Sequence, residues 1–289
     1  MTGRVRVVTD SVSDLPPEVA RRLGIAVVPI YFSLGGQSYR DDGTIDRRWF
    51  FDQLKRSDDL PQTAAPSIQD FVRTYKELQE DGVEEIVALF IDARLSSLVD
   101  HARRAAELVD GLSIHFVESG QVSMGLGWLA VEAAEAAAQG ASVAEIRQRV
   151  AAARRRTFVL GALDSLDYLR RSGRVGWVKA QVGNFLRLKP LIGYHQGEAR
   201  LLGRVRTHRR AVAWLVRWVE QAAPLRRLAL LHTGLSPDVL RPLQERLASA
   251  ASVPDVRVVE AGPVFTTHVG LDAVGVALLQ TESAGEPDW

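Results

Sequence analysis

The chain has 289 residues, enough for one large or two ordinary domains with a sizeable buried core. Its 36 basic residues nearly cancel its 35 acidic ones, for a net charge of +1. That balance does not suit a protein that coats nucleic acid or an anionic membrane. No cysteine is present, which excludes disulfides, thiolate metal sites and cysteine nucleophiles.

Residues 1–6 carry no signal-peptide pattern and run directly into a β-branched stretch that predicts a first strand over 5–9. The stretch Val7-Val8-Thr9-Asp10-Ser11-Val12-Ser13-Asp14-Leu15-Pro16 then turns polar and enters a helix, with Asp14 placed as its N-cap. A strand that ends in hydroxyls and carboxylates and feeds a helix is how an open parallel sheet begins, and ligands of such sheets sit beyond the carboxyl ends of the strands. Residues 25–32 read as one apolar strand carrying Pro29, 37–42 as a small hairpin return after Gly35-Gly36, and 47–57 as an amphipathic helix. Residues 62–67 read as a loop, closed by Ser67 and Asp70 in a capping-box pattern that starts a helix to about residue 81.

Strands at 85–91 and 113–117, with helices at 96–109, 124–139 and after Ser142, continue a β-α alternation typical of a parallel sheet. After residue 156 the rhythm changes. Strands are predicted at 157–163, 190–194, 199–205, 227–232, 256–260 and 274–279, with helices at 207–221 and 236–248 and a hairpin turn at Gln196-Gly197. Residues 282–289 read as a loose tail. The expected architecture is α/β: an N-terminal parallel-sheet domain over 1–156 and a C-terminal α+β domain over 157–289 with a mixed or antiparallel sheet, the ligand lying between them. The apolar stretch at 125–138 is interrupted by Glu132 and Glu135 and is too short for a bilayer. The expected location is therefore cytoplasmic, with no stable membrane insertion.

Five separated stretches resemble the DegV family of fatty-acid-binding proteins, which includes the carrier subunits of bacterial fatty acid kinase. They are residues 9–16 (Thr-Asp-Ser-Val-Ser-Asp-Leu-Pro), 63–67 (Thr-Ala-Ala-Pro-Ser), Leu95-Ser96, 163–174 with Lys189-Pro190, and Gly262-Pro263-Val264 leading to Thr267-His268. The resemblance implies a two-domain α/β carrier that buries a long-chain fatty acid such as palmitate. It further implies that a kinase partner phosphorylates the carboxylate, the carrier itself being no enzyme and using no cofactor or metal. It places Thr63, Ser96 and His268 at the ligand head group and Arg174 as a contact to the partner or to phosphate.

Physical chemistry supports such roles. A buried carboxylate needs donors, and hydroxyls and N–H groups at helix starts supply them. A histidine beside it, cationic or donating, would hold it ionised. Asp10 and Ser11 are expected to shape the site rather than touch the ligand, because a second carboxylate there would be repulsive. Three departures stand out: Asp92-Ala93 where the family has small hydroxyl residues, Ser97-Leu98 after Ser96, and Gly270-Leu271-Asp272 after the histidine. An Asp92 facing the head group would repel it. Asp92 is therefore expected either to turn away or to mark a different ligand preference. The competing readings are a hydrolase or metal-dependent enzyme using Asp10, Asp92 and His268, and a binder of another small lipid or acidic ligand. A nucleic-acid reading would rest on Arg204, Arg206, His208, Arg209 and Arg210, which read better as a solvated helix end.

Overall fold

The computed structural model describes the chain except residues 1–4, 58–59, 175–177, 180–187, 252, 254, 286 and 288. Residues 1–4, expected to lead straight into the first strand, thus lie outside the described residues. The first half runs β1 (Val5–Asp10), α1 (Pro17–Leu23), β2 (Ile25–Val28), β3 (Tyr31–Leu34), β4 (Gln37–Arg40), α2 (Arg47–Arg56), β5 (Gln62–Ala64), α3 (Ile68–Glu80), β6 (Glu85–Phe90), α4 (Leu98–Ala106), β7 (Ser113–Glu118), α5 (Ser123–Ala138) and α6 (Val143–Arg154). Strands β2-β1-β6-β7 form a parallel sheet. The last four residues of β1 and the last five of β6 are buried, as expected of strands covered on both faces.

The expected strand over 25–32 is two strands. The chain breaks at Pro29, which has no N–H to give a ladder. β2 joins the parallel sheet, while β3 turns away to pair antiparallel with β4 and β5 in a separate sheet. The loop expected over 62–67 therefore holds the short strand β5. Asp14 does not cap α1, which starts after Pro16 without a side-chain cap. Asp14 instead takes a left-handed backbone conformation and points elsewhere. Both capping boxes, Ser67–Asp70 and Ser142–Glu145, are present.

The second half adds β8 (Thr157–Ala162), α7 (Asp167–Arg171), β9 (Val178–Lys179), β10 (Lys189–His195), β11 (Glu198–Val205), α8 (His208–Ala222), β12 (Leu225–His232), α9 (Pro237–Ala251), β13 (Arg257–Glu260), α10 (Pro263–Val269) and β14 (Val274–Gln280). Its strands form a mixed sheet in the order β13-β12-β14-β8-β10-β11-β9. Gln196 and Gly197 both take positive φ in the β10–β11 hairpin, the conformation a tight two-residue turn requires. Residues 282–289 are not loose throughout. Trp289 packs its ring against Phe158, His195 and Trp218, with the Arg200 guanidinium 5.4 Å from its centroid.

Helix α5 lies between the two large sheets and is buried nearly all round, so its alanines and glycines are a packing requirement. A Cβ on Gly127 would lie 2.8 Å from the Ser13 carbonyl oxygen. On the other side the Trp128 indole donates to the Ala277 carbonyl at 3.0 Å. Glu132, 3% exposed, accepts from Arg149, Arg226 and Arg227 at 2.9, 2.8 and 3.0 Å. Burial alone would raise its pKa; the arginines outweigh burial and hold it low. These contacts join α5, α6 and β12 and fix the two sheets against each other.

Candidate functional site

The loops that leave β1, β2, β6 and β7 at their carboxyl ends converge on the inner face of the mixed sheet. Between them lies a cavity of about 530 Å³, within the range of small-molecule sites. Val12, Ile30, Ile91 and Val122 line it from the parallel sheet, and Val159, Ile192 and Leu231 from the mixed sheet; Val264 and Phe265 of α10 complete the apolar wall. A second, polar cavity of about 730 Å³ adjoins it, lined by Ser33, Gly35, Gly36, Gln62, Arg171 and Ser172. Thr63, Arg174 and His268 line both. They mark the junction where an apolar space meets a polar one.

His268 stands in the last turn of α10, a helix opened by Pro263 in its first turn. The stretch from Gly262-Pro263 to Thr267-His268 is therefore helical. Its Nε2 lies 3.2 Å from Thr63 Oγ1 on β5, while its buried Nδ1 has no hydrogen-bond partner among the described residues. Burial, and then the nearby Arg174 cation, push the His268 pKa down to about 4. The imidazole is thus neutral near pH 7, not cationic, and pairs through one nitrogen with Thr63 while the residue lines both cavities.

Ser96 lines the same apolar cavity. Its hydroxyl also accepts from the Leu98 N–H at 3.2 Å, so α4 begins at Leu98, two residues later than expected. The helix-start role and the cavity-facing position coincide in one residue. Arg174 follows α7 beyond Gly173, with its N–H bonded to the Leu169 carbonyl at 2.8 Å and its Nη1 to the Ser172 carbonyl at 2.6 Å.

Asp10 and Ser11 do not line the cavity. Asp10, fully buried, accepts from Val12 N–H at 2.9 Å and from Ile91 N–H at 2.7 Å, tying the end of β1 to the end of β6. Burial pushes its pKa up to about 7, against the pull of those two N–H groups. Ser11 Oγ accepts from the Ile30 N–H at 3.1 Å, holding the end of β2. Asp92, 1% exposed, is also absent from the cavity wall. Arg94 neutralises it through Nε at 3.2 Å and Nη2 at 3.1 Å, and also reaches the Gln196 carbonyl at 3.0 Å. Asp92 is thus neutralised behind the wall, and Arg94 is the one of the pair that lines the cavity and ties it to the β10–β11 hairpin. Asp10, Asp92 and His268 thus each have separate partners. Among the described residues no group of three His, Asp or Glu side chains is placed to hold a metal ion.

Arg94, Tyr194 and His232 line the cavity although no motif singles them out. Arg94 follows the Asp92 departure by two residues, which is a signal in retrospect. Tyr194 and His232 carry none, because a strand reads the same whichever sheet it faces.

The DegV family model, described as "Uncharacterised protein, DegV family", matches residues 4–281. A DegV domain-containing protein of Deinococcus radiodurans is 33% identical over 282 residues, covering 95% of this chain and 98% of its own length. A second, from Caldanaerobacter subterraneus, is 29% identical over 276 residues, covering 94% of this chain and 98% of its own length. The solved structure of a fatty-acid-binding DegV family protein from Thermus thermophilus superposes with a TM-score of 0.87 at 31% identity, over 96% of this chain and 100% of that one. A DegV lipid-binding protein from Thermotoga maritima shares the fold, with a TM-score of 0.85 at 23% identity over 98% and 99% of the two chains. The match along nearly the whole sequence carries the conclusion: this chain belongs to the DegV family.

Proposed function

We propose that this protein is a carrier of one long-chain fatty acid, such as palmitate, with the acyl chain in the apolar cavity and the carboxylate at the Thr63–His268 junction. The observation that carries this reading is an apolar cavity that ends on a part-buried hydroxyl–imidazole pair, one imidazole nitrogen of which has no partner among the described residues. The apolar wall supplies affinity through area removed from water, and the polar junction orients one charged end. Ser96 and the Thr63–His268 pair donate to the carboxylate, the hydroxyl and the neutral imidazole having one proton left for it after the bond between them, and Arg174 adds positive charge beside it. The likeness to the fatty-acid-binding Thermus protein supports the same ligand class.

In this reading the polar cavity beyond the junction is where a fatty acid kinase subunit reaches the carboxylate, with Arg174 contacting that partner or the transferred phosphate. The carrier presents its ligand in the cytoplasm and does no chemistry of its own. Asp10, Ser11 and Asp92 shape the site from behind, and the boundary near residue 156 separates two lobes that share α5. Native mass spectrometry of the purified protein, followed by extraction and chain analysis, tests the ligand. A bound fatty acid is expected; a lipid-free protein with no melting shift on adding palmitate or oleate would overturn the proposal. An ATP-dependent acyl-phosphate assay with and without a fatty acid kinase subunit tests the carrier role. Product from the protein alone would make it an enzyme.

A further inference from the structure

Helix α10 carries His268 at one end and is only seven residues long. So short a helix has little stability of its own, and its first N–H groups need acceptors from elsewhere. Its N-cap, Gly262, offers no side chain. The acceptors come from the opposite half of the chain. Asp14 Oδ1 accepts from the Gly262 N–H at 2.8 Å, while Asp14 Oδ2 takes the Ser123 hydroxyl. Asp41, just beyond β4, lies beside the same helix start, close enough for the Val264 N–H and the Ser11 hydroxyl to lower its pKa, while its Oδ2 has no hydrogen-bond partner among the described residues.

Gly262 is what lets both carboxylates in. A Cβ there would lie 2.9 Å from Asp41 Oδ2 and 3.3 Å from Asp14 Oδ1. Asp14 and Asp41 are 4% and 8% exposed, and neither lines the ligand cavity. Burying two carboxylates side by side is unfavourable as a way of stabilising a fold, so a role tied to what they hold is the better account.

We propose that Asp14 and Asp41 are positioning residues: they clamp the N-terminus of α10 so that His268, at its far end, meets Thr63 at the head-group junction. The ligand part of this proposal rests on the fatty-acid reading; the placement of His268 does not. Burial pushes both carboxyl groups up, Asp14 to about 6 and Asp41 to about 7, which accords with a clamp held at a cost.

The test compares Asp14→Ala and Asp41→Ala with Asp14→Asn and Asp41→Asn, since Asn keeps an acceptor oxygen for the helix N–H groups. Nitrogen-detected histidine spectra of the lipid-free protein read the His268 pKa, and stopped-flow release reads palmitate. The Ala variants are expected to move the His268 pKa up toward the ordinary value of about 6.5 and to release palmitate about tenfold faster, the equivalent of roughly 1.4 kcal/mol. The Asn variants are expected to restore both. A His268 titration in the Ala variants identical to the parent would overturn the proposal, as would Asn variants as impaired as Ala. If an Ala variant does not fold, hydrogen exchange at Gly262 and Val264 in the matching Asn variant decides: protection as in the parent supports the clamp, and its loss removes it. A parent protein that binds no palmitate would sink the fatty-acid reading while leaving the His268 measurement decisive.

Discussion

Thr63 Oγ1 and His268 Nε2 lie 3.2 Å apart although 205 positions separate them in the chain. The contact joins the small sheet of the N-terminal half to a helix of the C-terminal half. It exists only because β5 pairs with β3 and α10 docks against both.

Replacing Thr63 with Val keeps its shape and removes the hydroxyl. A buried imidazole nitrogen then loses its partner, and a bound carboxylate loses a donor, at about 1–3 kcal/mol. Palmitate affinity is expected to fall by about fivefold or more by titration calorimetry, and Ser96→Ala to act in the same direction. Parental affinity in both variants would remove the head group from this junction.

Gly161 and Gly275 are paired neighbours on β8 and β14, and both line the cavity. A Cβ at Gly161 would meet nothing closer than the Val274 carbonyl oxygen at 3.8 Å, whereas one at Gly275 would lie 2.5 Å from the Leu160 carbonyl oxygen. Gly161→Leu is therefore expected to fold, fill part of the cavity and shift retained fatty acids toward shorter chains by mass spectrometry. Gly275→Ala is expected to lower Tm instead. An unaltered chain-length profile in Gly161→Leu would place the acyl tail elsewhere.

The Asp92–Arg94 pair is asymmetric: Asp92 is buried and the Arg94 side chain is half exposed. Arg94→Ala leaves a buried carboxylate with only neutral neighbours among those described, the N–H of position 94 and the Tyr194 hydroxyl, at an expected loss of about 1–3 kcal/mol by urea denaturation. Arg94→Ala with Asp92→Asn should recover most of that loss. A double variant no better than the single one would show that the arginine matters for packing rather than charge.

Stability should depend on pH through Asp41. Its folded pKa of about 7 lies above the ordinary carboxyl value of 3.8, so the native state binds the extra proton between those values. The stability this confers is complete below about pH 4 and is lost as pH rises through 7. His232 and His268, both pushed down to about 4 by burial, act oppositely, losing stability as pH falls from about 6.5 through 4. Asp41→Asn removes only the first effect. Relative to the parent it should gain roughly 1–3 kcal/mol between pH 5 and pH 8, measured by urea unfolding at both. A constant difference across that range would mean Asp41 titrates normally.

Local chemistry made much of the architecture legible in the sequence. The apolar runs of β1 and β6, the capping boxes at Ser67 and Ser142, and the Gln196-Gly197 turn each depend on residues within a few positions of one another. The ordered motifs from Thr9 to His268 pointed to the family by the same kind of local record. Misreadings arose where a residue could satisfy itself in more than one way. Pro29 lies inside one apolar run yet breaks it between two sheets, and Asp14 stands in capping position before α1 yet bonds the Gly262 N–H.

Tertiary structure decided where side chains find partners across the chain. Asp14 serves α10 rather than α1, Asp92 is neutralised by Arg94 and faces away from the cavity, and His268 is neutral because burial outweighs any tendency to charge. Each outcome depends on desolvation and on groups far away in sequence, and neither quantity is encoded in a local pattern. Periodicity and caps determine which elements form; which charges end up buried, and against what, is settled only when the two sheets close on α5.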